Sequence, residues 1–124
     1  MKKTVTLLMA LLPLLLVPAI TAAQKLEPGK WTGTVAPPDG SVNDVTYDVA
    51  LRGDTIAISV NAGQHGVHRF NDVKLDNNRL TFWFEPGPRV ECTLQRRDDG
   101  AFQGSCTDPQ GGIAQMLMLP PKKQ

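Results

Sequence analysis

The chain is predicted to be an all-β domain, a single eight-stranded antiparallel meander closed into a barrel. Three observations predict it. After residue 24 no stretch has helical periodicity. Apolar and polar residues instead alternate with period two, and the alternating runs are bounded by Gly, Pro, Asn and Asp. Nearly every connection is hairpin-short, and a meander of eight strands removes its exposed edges by closing on itself. A two-sheet sandwich is the alternative architecture.

The first strand is expected over residues 31–36. The second covers residues 45–51, with Val45, Tyr47, Val49 and Leu51 on one side. Gly53-Asp54 then makes a two-residue turn, and the third strand presents Ile56, Ile58 and Val60. Pairing about that turn sets Leu51 against Ile56, Val49 against Ile58 and Tyr47 against Val60. Every pair is apolar with apolar, so the register is self-consistent.

Val73 and Leu75 lead into Asn77-Asn78, residues suited to a tight turn with positive φ. Leu75 is then expected opposite Leu80, and Val73 opposite Phe82. Across Pro86-Gly87-Pro88, Phe84 meets Val90, Phe82 meets Cys92 and Leu80 meets Leu94. Across Asp98-Asp99-Gly100, Leu94 meets Gly104 and Cys92 meets Cys106. Opposed residues on antiparallel strands lie about 4.5–5.5 Å apart at Cα, within disulfide reach. Cys92 and Cys106 are therefore expected to be bonded, a crosslink worth ~3 kcal/mol in the chain-entropy view. The eighth strand, residues 113–119, is apolar on both sides. Its Met116 and Met118 are expected either to pack in the core or to line a flexible pocket.

The start of the chain, MKKTVTLLMALLPLLLVPAITAAQ, has a basic pair, an uncharged apolar run and small residues at positions 21–23. This is the layout of a secretory signal peptide, with cleavage expected after Ala23. Pro13 and Pro18 interrupt the run, which is shorter than the ~20 residues a membrane helix needs. The first cysteine is Cys92, so lipid anchoring is not expected. The expected division is residues 1–23 as signal peptide and 24–124 as one domain, periplasmic or secreted, monomeric, without a membrane anchor. Two cysteines in an exported chain agree with one disulfide. Loss of Lys2 and Lys3 takes the formal net charge from +1 to about −1, which gives no reason to expect a nucleic-acid partner.

Gly29-Lys30-Trp31 resembles the G-x-W start of lipocalin-like (calycin) barrels. The stretches WTGTV, FNDVKLDNNRLTF and DDGAFQG are similar to small lipocalin-like domains of exported bacterial proteins. The resemblance implies an eight-stranded barrel whose floor is plugged by Trp31. It departs from the family on the last strand, where lipocalins carry a basic residue that packs across the Trp and residues 113–119 have none. Small calycin barrels include bacterial metalloprotease inhibitors whose N-terminal tail enters the protease cleft, so residues 24–28 are the tail such a role would use.

Chemistry is sparsely written. Both histidines, His65 and His68, lie in GQHGVHRF. Two ligands do not make a zinc site, and no third donor is spaced to help. Ser41, Ser59 and Ser105 are the candidate nucleophiles, and none sits in a strained Gly-x-Ser-x-Gly turn. The histidines are read as solvated loop residues. Glu85 and Arg89 are expected to pair across the Pro86-Gly87-Pro88 turn, and Arg96-Arg97 to form a solvated hairpin tip with Asp98-Asp99. With Phe82 facing inward, Trp83 faces outward, opposite Asp72 and diagonal to Phe70, so Phe70 and Trp83 are expected to share an exposed contact surface. The functional expectation is a non-enzymatic binding or interaction module with no cofactor and no metal. Its partner would be a small apolar ligand or a protein, and inhibition of an extracellular or periplasmic enzyme is the alternative.

Overall fold

The alternating runs become strands wherever turn residues bound them. A computed structural model describes residues 25–122; the expected signal peptide lies outside the described residues. Nine strands follow one another: β1 (Gly29–Ala36), β2 (Asn43–Arg52), β3 (Thr55–Asn61), β4 (Val67–Arg69), β5 (Asn71–Asp76), β6 (Arg79–Phe84), β7 (Val90–Arg96), β8 (Phe102–Thr107) and β9 (Ile113–Leu119). They form one antiparallel sheet in the order β4-β3-β2-β1-β9-β8-β7-β6-β5. Its two outer strands, β4 and β5, are consecutive in sequence and separated only by Phe70. The Phe70 N–H donates to the Ile58 carbonyl at 2.9 Å, so the barrel is nearly closed through this one residue. The expected eight strands and the observed nine differ here alone. The strand around Val73 and Leu75 reaches back to Val67, and changes partner from β6 to β3 at Phe70.

The hairpin registers follow the arithmetic. Leu51 pairs with Ile56, Val49 with Ile58 and Tyr47 with Val60. Phe84 pairs with Val90, Phe82 with Cys92 and Leu80 with Leu94. Asn77 and Asn78 both take positive φ, 58° and 73°, as a primed hairpin turn requires. Cys92 and Cys106 are opposed and disulfide-bonded, with Cα atoms 4.0 Å apart.

One register departs. Leu75 faces Leu80, but Asn71 rather than Asp72 faces Trp83, and the pairing shifts between Asn71 and Lys74. Asp72 is the extra residue of this β-bulge and takes φ 52°. The bulge lets Phe70 and Val73, three apart, both face the interior.

Two glycines let strands approach or bend where a side chain could not fit. A Cβ on Gly33 would lie 1.8 Å from the Leu117 carbonyl oxygen, and one on Gly104 2.0 Å from that of Thr93. Against the space Gly33 leaves open, the buried Tyr47 hydroxyl donates to the same Leu117 carbonyl at 3.1 Å, and burial raises its pKa.

Candidate functional site

The strand directions give the barrel two ends. The β2–β3, β5–β6 and β7–β8 turns share one end with residues 25–28 and Pro120-Pro121. The β1–β2, β3–β4, β6–β7 and β8–β9 connections share the other.

The first end is a floor. Trp31, Phe102, Leu80, Leu94 and Met118 are buried there with at most 1% exposure. Trp31 packs against Phe102 with ring centroids 6.0 Å apart, and its indole Nε1 donates to the Glu27 carbonyl at 2.8 Å. Leu26 is buried as well. On β7 the Arg96 guanidinium lies 4.7 Å from the Phe102 ring centroid and donates to the Lys25 carbonyl at 2.9 Å. Its partial burial lowers its pKa. Arg96 is thus part of the floor, while Arg97 alone keeps to the solvated tip, 2.6 Å from Asp99. A groove of about 470 Å³ lies at this end between residues 25–28 and Pro120-Pro121, with Lys25, Arg96 and Asp99 in its walls.

The second end is a mouth. A cavity of about 460 Å³ opens there and reaches the core side chains Val45, Val60, Phe84, Cys106 and Met116. That volume is within the range of small-molecule pockets. Its apolar wall is made largely of small residues, among them Val35, Ala62 and Ala114, with prolines from two loops. Three exposed apolar side chains, Val42, Val67 and Ile113, stand at the same end.

The polar groups at the mouth are few and mostly tied down. Asp39 Oδ1 accepts from the Ser41 N–H at 2.9 Å and the Ser41 hydroxyl at 2.7 Å, and these bonds hold the Asp39 carboxyl below its ordinary pKa. Asp108 Oδ1 accepts from the Gln110 and Gly112 N–H groups, each at 2.8 Å. Both carboxylates are Asx-turn acceptors that order their loops.

The histidines part company. His65 closes a 3-10 turn (Gly63–His65), whereas His68 is in β4, opposite the inward-facing Val60. His68 is half-buried, borders the cavity and packs against Phe84 at 6.1 Å between centroids. A carbonyl only accepts, so the 2.9 Å contact between His68 Nε2 and the His65 carbonyl means that Nε2 carries the proton. The reading of both histidines as solvated loop residues is corrected for His68. Ser41, His65 and His68 border one cavity, but the Ser41 hydroxyl donates to Asp39 and His68 Nε2 to a carbonyl. No nucleophile–base pair is formed among them.

The expected Phe70–Trp83 surface is corrected. Phe70 is a core residue, 4% exposed and stacked on Phe82 with centroids 3.9 Å apart. The bulge at Asp72 turned it inward. Trp83 does face outward, but the Arg89 guanidinium lies 3.8 Å over its ring and its Nε1 donates to Asp72 at 2.8 Å. Arg89 pairs with Glu91 at 3.3 Å instead of with Glu85. Of the two methionines, both buried, Met116 borders the cavity, and Met118 lies in the packed lower layer. The sequence signal missed was the Phe70–Val73 spacing, since two inward apolar residues an odd number apart mark a bulge. With Phe70 inward, His68 follows two residues earlier.

No family model matches the chain, and no curated protein is similar to it. Among solved structures it is similar to a redesigned β-barrel, with TM-score 0.64 and 14% identity over 85% of this chain and 100% of that one. It is also similar to a de novo designed fluorescence-activating β-barrel, with TM-score 0.56 and 19% identity over 82% of this chain and 100% of that one. At such identities the likeness is one of fold.

Proposed function

We propose that the chain is an exported, non-enzymatic, lipocalin-like binding module that takes a small apolar ligand through the mouth of its barrel. The observation that carries this reading is the unequal filling of the barrel. One end is plugged by Trp31 and Leu26, and the other holds an apolar cavity of about 460 Å³. The signal-like N-terminus and the Cys92–Cys106 bond support a periplasmic or secreted location.

The inhibitor alternative meets an obstacle in the tail it requires. Leu26 is buried, the Lys25 carbonyl accepts from Arg96, and the Glu27 carbonyl accepts from Trp31. Residues 25–28 would have to leave the floor to enter another protein's cleft.

Native mass spectrometry of the protein from its own exported compartment tests the proposal. An adduct of a few hundred daltons is expected, lost on denaturation and missing from Ala114→Phe, whose ring would fill the mouth. An adduct retained by that variant would sink the reading. Hydrolytic activity abolished by His68→Ala would overturn the non-enzymatic part.

A further inference from the structure

The mouth has a sign as well as a shape. Every charged side chain bordering the cavity is acidic apart from the two histidines: Asp39 from the β1–β2 loop and Asp108 from the β8–β9 loop. Among the described residues no lysine or arginine borders it. The two loops are neighbours, because β1 pairs with β9. A Cβ on Gly112 would meet both Asp108 Oδ2, at 2.5 Å, and the Pro38 ring, at 3.2 Å. The turn hydrogen bonds of both aspartates fall on Oδ1. Asp44 and Glu85 add negative charge at the same end, and Arg89 is drawn to the outer face by Trp83 and Glu91. His68 Nε2 donates to the His65 carbonyl, so that N–H is already spent within the chain.

We infer that the ligand is an apolar molecule with a cationic, hydrogen-bond-donating head, of the alkylammonium class, and not an anionic amphiphile such as a fatty acid. Its tail lies against Val45, Val60 and Met116, and its head stays between the Asp39 and Asp108 carboxylates at the rim. An anionic head there would meet two carboxylates, with no described lysine or arginine bordering the cavity to offset them. An apolar wall gives depth and affinity, and the rim charges choose among ligands of equal tail. The inference rests on the mouth being the binding site.

Calorimetric titration of the purified protein with decylammonium, decanol and decanoate separates the two claims. Decylammonium is expected to bind on the order of tenfold tighter than decanol, with decanoate weakest, and added salt should narrow the gap. Asp39→Asn with Asp108→Asn keeps both turn acceptors and should bring decylammonium down to the affinity of decanol, leaving decanol unchanged. Decanoate binding as tightly as decylammonium, or a preference that survives the double substitution, overturns the charge inference and leaves the pocket standing. If none of the three binds, or if all bind equally well to Ala114→Phe, the pocket itself is wrong.

Discussion

The two ends of the barrel are made by the same strands and filled by different side chains. β1 carries Trp31 at the floor and Val35 at the mouth. β8 begins with Phe102 and ends near Cys106, and β9 runs from Ala114 down to Met118. The floor receives Trp, Phe, Leu and Met; the mouth receives mostly Val, Ala and Pro, with Phe84 and Met116 among them. An eight-stranded barrel is just wide enough either to fill with side chains or to hold one small ligand. This chain is filled by side chains below and leaves a cavity above, and the difference is made by side-chain volume, layer by layer, on one backbone.

The largest test of that contrast is Trp31→Ala beside Val35→Ala. The floor substitution removes a fully buried ring and should cost about 3–5 kcal/mol in urea unfolding. The mouth substitution removes side-chain bulk from beside a cavity and should cost about 1 kcal/mol. Equal losses would mean that the mouth is packed as tightly as the floor.

The disulfide comes next. Cys106 borders the cavity, so the crosslink braces the mouth from within. Reduction should lower stability by about 3 kcal/mol and weaken ligand binding along with it. A melting temperature unmoved by reductant, or two free thiols in the mass spectrum of the exported protein, would remove that brace from the account.

Glycines sharpen the same contrast at a smaller scale. Gly104→Ala would push a methyl group to 2.0 Å from the Thr93 carbonyl oxygen, in backbone that cannot swing away. It should destabilise by about 1–3 kcal/mol. At Gly87, in a mouth loop, an added methyl group would have no neighbour within 4 Å. Gly87→Ala should therefore fall within about 0.5 kcal/mol of the parent in the same denaturation assay.

What is legible follows from where the physics is local. Hairpin registers are set by turn residues and by the alternation beside them, so Cys92 opposite Cys106 and Leu51 opposite Ile56 follow from counting outward from Gly100 and Gly53. The bulge at Asp72 breaks such counting, because a single residue with positive φ leaves the composition of the run unchanged. That one residue sends Phe70 into the core, brings His68 to the cavity and dissolves the expected outer patch. Arg96 reads as solvent-facing for a different reason: its role depends on Phe102 and on the chain at Lys25, which meet it only in three dimensions. The cavity is the least visible feature, although Val and Ala at one end of the strands against Trp, Phe and Leu at the other already hint at it.

Added volume is the change most informative about function. A well-packed layer resists added volume, since extra atoms force neighbours off their rotamers. Leu94→Phe at the floor, where Leu94 has no exposure, should therefore cost about 1–3 kcal/mol. Ala114→Phe adds still more volume at the mouth, and there the ring can enter space that protein atoms do not fill. Its stability should stay within about 1 kcal/mol of the parent, with desolvation of the ring offsetting the entropy of ordering it. Ligand binding should nevertheless be lost, because the ring and the ligand need the same volume. A variant that is stable and cannot bind would separate the two ends of the barrel by purpose, the floor for folding and the mouth for recognition. If Ala114→Phe is instead as damaging as Leu94→Phe, the mouth is ordinary core, and binding would have to be sought on the outer surface.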